Sequence, residues 1–441
     1  MDRSPERTPA MTSATPPTTT LDLPHWETQP DDLADATRTI KAAIRERIEA
    51  SRGTIGDVLA EIEEHIRAEV ADIKAEQARG EDVWPLIDFA DIEAGKVPAE
   101  LVAKLHRRGC AVIRGLFPRG QAVEWDNAAA DYVDQNHFFE SYTGPADDFF
   151  GTVMSKPEIY PVYWSRSQME ARQHPRMATA QAFLNSQWTS STDGHQWFDP
   201  ERDSLYPDRL RRRPPGTDAA GLGAHLDPGT LDLWMTSGYQ QHFRHLFSGD
   251  FAAYDPWDAS YRTEAAQYPG STMCSAFRTF QGWTALSEMK HDQGVLHTVP
   301  IVRAMAYLML RPLAADVPDD DMCSVQPNQV FPALEKWHAP LLEGLSGIPD
   351  VAPGDSVWWH SDLIHAVAPV KDQEGWGNVM YIPAAPWCEK NARYAETVRA
   401  ALADGRSPSD FPAEDYETSW TGRFTEADLN DIGRRGLGID A

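Results

Sequence analysis

Two amphipathic stretches stand near the start of the chain. In the first, apolar residues follow Asp31-Asp32 at Leu33, Ile40, Ile44 and Ile48. The second stripe consists of Ile55, Val58, Leu59, Ile62, Ile66, Val70 and Ile73. Positions three and four residues apart share one face of a helix, so both stretches are predicted to be helices, the second ending near Gly80. Together they form a predicted N-terminal helical region over residues 25–84. Packing on their own domain is the favoured arrangement, and a dimerisation hairpin, which would make a homo-oligomer, is the alternative.

The rest of the chain is predicted to be one domain over residues 85–441. Short apolar runs at 86–89 and 111–117 predict strands, and helical spacing predicts helices over 100–108 and 121–133. At 441 residues the chain is long enough for one large domain with additional elements.

Three further segments show no regular period. Residues 1–24 are rich in Thr and Pro and are predicted to be a disordered tail. Residues 140–205 carry many aromatic side chains, Tyr163 and Trp164 among them, and are expected either to cover a pocket as a lid or to pack on the domain. An insertion is predicted near 238–275.

The segment Gly221-Leu-Gly-Ala-His225-Leu-Asp227-Pro-Gly carries the clearest chemical signal. Residues i and i+2 of a strand point to the same side, so His225 and Asp227 would face one cavity. A His-x-Asp pair with one remote His is the ligand set of the facial triad, which holds ferrous iron and leaves positions open for oxygen chemistry. A surface turn with an unrelated His and Asp is the alternative.

A downstream segment supplies the third predicted ligand. Pro353-Gly-Asp355 predicts a tight turn before the apolar run Val357-Trp-Trp359, and His365 follows in a second apolar stretch. His360 is the rival ligand and is expected to be a structural histidine at a strand end. The predicted metal ligands and catalytic residues are therefore His225, Asp227 and His365.

Composition narrows the class of protein. The formal net charge of −27 argues against binding to nucleic acid or to an anionic membrane. The four cysteines are scattered without C-x-x-C spacing, which favours reduced thiols over a disulfide framework or a zinc site. The N-terminal residues lack the apolar run of a signal peptide, and no apolar stretch is long enough to span a membrane. A cytoplasmic protein is expected.

Several segments occur in an order that resembles a known superfamily. They are Val112-Ile-Arg-Gly-Leu-Phe, the His225-x-Asp227 strand, Gln281-Gly-Trp-Thr-Ala-Leu, Gly294-Val-Leu-His-Thr-Val-Pro, and the segment from Pro353-Gly-Asp to His365. Together they resemble the Fe(II)/2-oxoglutarate-dependent dioxygenases, especially the phytanoyl-CoA-hydroxylase-like branch. The chain is more similar still to a bacterial and fungal family within that superfamily that is defined only as a domain of unknown function. The resemblance spans approximately residues 85–395.

The resemblance implies a fold and a reaction. The implied fold is mainly β with α decorations, a cupin-like double-stranded β-helix (jelly roll) with iron at one mouth. The implied reaction uses Fe(II), 2-oxoglutarate and dioxygen to hydroxylate, or otherwise oxidise, a small-molecule substrate.

One feature of that superfamily is missing. An Arg usually follows the last His by about 10 residues and binds the distal carboxylate of 2-oxoglutarate, but residues 371–382 contain no Arg. A carboxylate is best bound by a bidentate guanidinium, so another Arg is expected in this role unless the co-substrate differs. Arg211, Arg213, Arg278 and Arg311 are the candidates for this cofactor-binding role. A solvated cation is the alternative for each.

Two other classes of protein stay open. The first is a catalytically silent jelly roll that binds a metal or a small acid. The missing Arg favours this class, whereas the presence of all three triad residues argues against it. The second is a cupin-type metalloenzyme that does not use 2-oxoglutarate. Dependence on metal and on co-substrate separates the two.

Overall fold

Two β-sheets that pack together form the centre of the protein. The computed structural model describes residues 21–144, 157–227, 229–269, 275–327 and 329–439. The strands are β1 (Leu86–Asp88), β2 (Cys110–Arg114), β3 (Ile159–Tyr160), β4 (Ser191–Thr192), β5 (His195–Gln196), β6 (Asp199–Asp203), β7 (Leu210–Arg211), β8 (Leu222–Leu226), β9 (Phe280–Ala285), β10 (Leu296–Thr298), β11 (Phe331–Pro332), β12 (Ser346–Gly347), β13 (Ser356–His360), β14 (His365–Val367), β15 (Val379–Tyr381) and β16 (Pro386–Trp387).

The larger sheet has seven strands in the order β1-β2-β13-β9-β15-β7-β3, and the smaller has five in the order β11-β8-β14-β10-β12. Strands β1 and β2 are parallel, whereas the other pairs in both sheets are antiparallel. Two further sheets, β16-β6 and β4-β5, have two strands each. Over the described residues these sheets are separate and none closes into a barrel.

Helices surround the sheets. They are α1 (Leu33–Ser51), α2 (Ile55–Ala78), α3 (Phe89–Glu93), α4 (Ala99–Arg108), α5 (Arg119–Gln135), α6 (Phe138–Ser141), α7 (Arg166–Arg172), α8 (Pro175–Asn185), α9 (Asp232–Met235), α10 (Ser237–His242), α11 (Met305–Leu310), α12 (Glu335–Leu342), α13 (Glu389–Asp404) and α14 (Asp431–Gly436), with short 3-10 helices at Leu246–Ser248, Val302–Ala304, Arg311–Leu313, Tyr416–Ser419 and Glu426–Asp428. None of the helices in the described ranges combines the length and the apolar character that crossing a membrane requires.

The protein has a mixed helix and sheet fold, in which the helices contain more residues than the strands. The prediction of a mainly β fold is therefore wrong. Several helices, such as α6, α9, α10 and α11, have six residues or fewer, which is too short to show a helical period in the sequence.

The two predicted N-terminal helices are present. The Asp32 side chain accepts a hydrogen bond from the Asp35 N–H at 2.9 Å at the start of α1, and Thr54 forms a capping box at the start of α2. Their apolar stripes are buried in the same core cluster as strand residues of both sheets. The Lys41 ammonium also donates to the Pro318 carbonyl at 2.7 Å. The helices thus pack on their own chain, which is the favoured arrangement.

The strands predicted at 86–89 and 111–117 correspond to β1 and β2, and the helices predicted at 100–108 and 121–133 correspond to α4 and α5. The boundaries differ by up to three residues because helix and strand ends have little pattern of their own.

Of the predicted tail, residues 1–20 lie outside the described residues. Leu23 is buried, and the Pro24 carbonyl accepts a hydrogen bond from Gln240, so residues 21–24 belong to the packed structure. The predicted insertion contains α10 and a 3-10 turn, and its residues 270–274 lie outside the described part.

Strands β9 and β13 are buried along their whole length. One face of their sheet packs in the cluster shared with the five-stranded sheet, and the other packs against α5 and α8. Trp358 lies on the second face, opposite Gly282 of β9. A Cβ at position 282 would lie 2.4 Å from the Trp358 ring, so only glycine fits there without a shift. This contact fixes the register of the two strands that form one wall of the site described next.

Candidate metal centre

His225, Asp227 and His365 converge between the two sheets. His225 lies on β8 directly opposite His365 on β14, and Asp227 follows the end of β8. The Nε2 atom of His225 is 3.4 Å from Oδ1 of Asp227, and the Nε2 atom of His365 is 3.5 Å from Oδ2 of the same carboxylate. One ligand atom from each residue lies within 4.8 Å of the others, close enough for the three to share one metal ion.

The start of β8 depends on Gly221. Its φ of +75° is in the left-handed region, and a Cβ there would lie 2.2 Å from the Val367 carbonyl oxygen. Glycine therefore allows the strand to begin beside β14, which places His225 opposite His365.

Backbone carbonyls orient both imidazoles. The Nδ1 atom of His225 lies 2.7 Å from the Gly223 carbonyl oxygen, and that of His365 lies 3.2 Å from the Leu363 carbonyl oxygen. A carbonyl can only accept, so each Nδ1 carries the proton and each Nε2 presents its lone pair to the shared centre. This is the tautomer that a metal-binding imidazole requires.

The charges of the three groups are coupled. Burial lowers the pKa of His365 to about 4, and the neighbouring His225 contributes in the same direction. Burial also lowers the pKa of His225, but the Asp227 carboxylate more than offsets it and leaves that pKa raised. Burial acts to raise the pKa of Asp227, yet the two imidazoles and Arg278 hold it well below its usual range. Asp227 is thus anionic at neutral pH.

A buried ion pair holds the turn that precedes His365. Asp362, in the turn between β13 and β14, pairs with the Arg262 guanidinium through two contacts, one of 2.6 Å. The Asp362 N–H also donates to Nδ1 of His360 at 3.0 Å. Because Arg262 comes from the predicted insertion, that insertion fixes the turn from which β14 begins.

The triad lies in a cavity of about 180 Å³ between the sheets. Its walls include Tyr206, Trp283, Trp359, Tyr381 and Phe411. Three arginines and three aspartates line it, namely Arg209, Arg211, Arg278, Asp208, Asp227 and Asp410.

Two of the four predicted co-substrate arginines reach this cavity. Arg211 is 7% exposed; its Nε donates to the Gly377 carbonyl at 3.1 Å, and one Nη lies 3.5 Å from the Met289 sulfur. No carboxylate among the described residues pairs with it. Arg278 lies near Asp227, whose pKa it lowers, and its guanidinium lies 5.6 Å from the Tyr206 ring centre.

The other two arginines lie elsewhere. Arg213 donates to the carbonyls of Gln293 and Gly294 at 2.9 and 2.8 Å. Arg311 forms a bidentate pair with Asp316 at 2.7 and 2.6 Å. Both guanidinium groups are occupied by protein partners, and neither residue lines the cavity.

His360 lies outside the triad, as expected of a structural histidine. Its ring stacks on Trp188 with centres 4.4 Å apart, and its Nε2 lies 3.1 Å from the Pro256 carbonyl oxygen. Tyr163 and Trp164 do not line the cavity either; they lie behind its wall, where the Tyr163 ring centre is 5.2 Å from that of Phe411. The part of the aromatic-rich segment that contains them thus packs on the domain rather than lining the cavity.

Gln281, Trp359 and Asp410 are among the cavity residues that were not predicted. Gln281 and Trp359 each have a buried side-chain nitrogen without a hydrogen-bond partner among the described residues. An amide inside a strand that is otherwise apolar was the available signal for Gln281. Asp410 accepts from the Tyr206 hydroxyl at 3.0 Å and belongs to a C-terminal segment whose sequence gives no such signal.

The fold and this centre define a protein with a possible metal site built from two histidines and one carboxylate. The chain belongs to the Gig2-like family, which it matches over residues 31–439.

Relatives share almost the whole chain. The uncharacterised protein YbiU of Escherichia coli strain K12 is 57% identical over 406 residues, which is 91% of this chain and 96% of that protein. The crystal structure of a candidate oxidoreductase from Salmonella typhimurium LT2 is 54% identical, with a TM-score of 0.91 over 94% of this chain and 99% of that one. The GlcNAc Inducible Gene 2 protein (GIG2, DUF1479) of Candida albicans is 25% identical, with a TM-score of 0.74 over 97% and 91%.

Proposed function

We propose that this protein is an Fe(II)- and 2-oxoglutarate-dependent oxygenase that oxidises a small molecule. The observation that carries the proposal is the convergence of His225, Asp227 and His365 in one cavity, with Arg211 in the same cavity. The Salmonella relative is named as a candidate oxidoreductase, which is in line with this class. Two packed, largely antiparallel sheets with the ligands at one end are what a jelly-roll oxygenase requires, which supports that fold as part of the proposal.

The residues fit a ferrous ion. Two imidazoles and one carboxylate on one side of a cavity suit iron(II) and leave coordination positions for other ligands. Both Nε2 atoms already point to the shared centre because their Nδ1 protons are bound by the backbone. With 2-oxoglutarate and dioxygen, bound iron supplies the oxidising chemistry.

The cavity also fits a dicarboxylate. The formal charges of its three arginines and three aspartates cancel, so a divalent metal leaves an excess of two positive charges that a dianion neutralises.

Arg211 is the best placed group for the distal carboxylate. It is buried and has no acidic partner, unlike Arg311. It lies directly opposite Val379 of β15, the next strand after His365 in the sequence. The guanidinium would therefore come from β7, which pairs with β15, the strand on which the superfamily usually places this Arg.

The protein side chains would confine and orient the reactants. Trp283, Trp359 and Tyr381 form apolar walls that exclude water from the metal end. The anionic Asp227 balances the charge of the metal, and Arg211 holds the far end of the acid, which leaves the mouth of the cavity for the substrate.

The test is an anaerobic titration of the Fe(II)-loaded protein with 2-oxoglutarate, followed by visible absorption. We expect an iron-to-ketoacid charge-transfer band that is lost in His365→Ala and kept in His360→Ala, which removes an equally buried histidine outside the triad. Bound iron without a band would reject the use of 2-oxoglutarate and favour a silent binding protein or a cupin-type enzyme. Iron binding that survives in both His225→Ala and Asp227→Ala would reject the metal site itself.

A further inference from the structure

We infer that Gln281 and Trp359 form a pair of hydrogen-bond donors for an acceptor oxygen of the acid bound at the metal. The inference rests on the proposed function and adds the residues that recognise the metal-bound end of the acid.

The two side chains are direct neighbours on adjacent strands. Gln281 of β9 and Trp359 of β13 are register partners, so their side chains share one face of the sheet. That face lines the cavity, and the Trp359 ring centre is 5.4 Å from the ring centre of His365. The pair thus lies at the metal end of the cavity.

Both donors are buried without a protein partner. Gln281 is 6% exposed and Trp359 is 4% exposed, and neither Nε2 of Gln281 nor Nε1 of Trp359 has an acceptor within the described residues. A buried N–H that makes no hydrogen bond is costly, so two of them side by side in a cavity indicate a missing ligand. Trp358 shows the contrast: on the opposite face, its indole N–H donates to the Ser356 hydroxyl at 2.7 Å.

The chemistry of the pair selects the kind of ligand atom. An indole N–H can only donate, and the unpaired atom of Gln281 is the amide nitrogen, which also donates. Two donors on neighbouring side chains suit a carboxylate or keto oxygen and disfavour an ammonium group.

The pair and Arg211 mark opposite ends of the cavity. Arg211 is level with Ala285 of β9, since both pair with Val379, and Gln281 lies four residues earlier on that strand. Four residues of an antiparallel strand span about 13 Å. The donor pair therefore contacts the end of the acid at the metal, whereas Arg211 contacts the distal end.

The experiment measures binding of two acids to the Co(II)-loaded protein by titration calorimetry. The acids are 2-oxoglutarate and pyruvate, which has the same oxo-acid group but no distal carboxylate. The variants are Gln281→Met and Trp359→Phe, which remove the donors and keep most of the volume. Trp358→Phe is the matched control because its indole N–H is already satisfied inside the protein.

We expect unchanged Co(II) binding in both variants and a rise in Kd of roughly 10-fold or more for both acids, by a similar factor. The control should bind both acids like the wild type. Gln281→Glu, which keeps the size but replaces donors by a negative charge, should weaken both acids further and covers the case in which Gln281→Met fails to fold.

Wild-type affinity in both donor variants would overturn the inference and leave the proposed function intact. A loss confined to 2-oxoglutarate would also overturn it, because it would place the pair at the distal carboxylate. A wild-type protein that binds Co(II) but neither acid would reject the proposed function and this inference together.

Discussion

Replacing Arg211 by Met should weaken 2-oxoglutarate binding selectively. Arg211 is 7% exposed, and its guanidinium uses one N–H for the Gly377 carbonyl and a second for a long contact to the Met289 sulfur. An arginine has five N–H groups, so three stay available for a carboxylate.

The size of the effect follows from burial. Removing one partner of a buried, hydrogen-bonded charge pair costs about 2–5 kcal/mol. Because Arg211 already donates to a carbonyl, we expect the lower part of this range, about 2–3 kcal/mol, which is roughly a 30- to 150-fold rise in Kd. Pyruvate has no distal carboxylate, so its affinity should not change.

Titration calorimetry on the Co(II)-loaded variant measures both acids. Arg213→Met is the matched control, since this arginine lies two residues further along the chain and donates to the carbonyls of Gln293 and Gly294. Its stability should fall, but its affinity for 2-oxoglutarate should equal that of the wild type. If Arg211→Met bound 2-oxoglutarate normally while Arg278→Met did not, Arg278 would hold the distal carboxylate and the reasoning from Arg211 would be refuted.

Three further predictions concern stability. Arg262→Met leaves the Asp362 carboxylate buried without its partner and should lower the free energy of unfolding, measured in urea, by about 3–5 kcal/mol. An additional Asp362→Leu change should recover most of this loss. A double variant that is no more stable than Arg262→Met would contradict the prediction. Gly282→Ala puts a methyl group 2.4 Å from the Trp358 ring and should cost about 1–3 kcal/mol in thermal unfolding, so an unchanged Tm would count against the packing described. Burial raises the pKa of Glu417 to about 7 from 4.5, so as pH rises this carboxyl group loses its proton in the unfolded state before it does in the folded state. The free energy of unfolding should therefore fall by up to about 3 kcal/mol between pH 4.5 and pH 7. Urea titrations at pH 5 and pH 8 should show that Glu417→Gln loses this dependence, and an equal slope in variant and wild type would disprove the assignment.

The sequence was informative wherever structure depends on local spacing. The stripes of α1 and α2 are visible as a period, and the same period predicted which side is buried. His225 and Asp227 could be assigned to one cavity because they are two residues apart at the end of a strand. His365 could be preferred to His360 from its place in the second apolar stretch.

Features that depend on contacts between distant parts of the chain could not be predicted from local spacing. Arg211 could not be ranked above Arg213 because the choice depends on the pairing of β7 with β15, far along the chain. Arg311 has the same residue type as Arg211, yet Asp316, five residues later in the chain, occupies it, a local pair that the strand pattern did not indicate. Asp410 reaches the cavity from a C-terminal segment with no strand pattern. The helical content was underestimated in part because the short helices show no period, and the longer helices α8 and α13, of 11 and 16 residues, were also not predicted.

The hydrogen bonds that orient the two histidines have a consequence for divergence within the family. Each imidazole is oriented by a hydrogen bond to the carbonyl two residues before it, at Gly223 and at Leu363. The groups that form each of these hydrogen bonds therefore lie within three consecutive residues. In many metal sites a distant carboxylate performs this task, and any change to it disturbs the metal. Here both orienting hydrogen bonds come from the backbone, and the wall residue Trp359 adds only a ring contact to His365, with ring centres 5.4 Å apart. A change of a wall side chain in a Gig2-like chain would therefore leave the two hydrogen bonds that orient the rings in place.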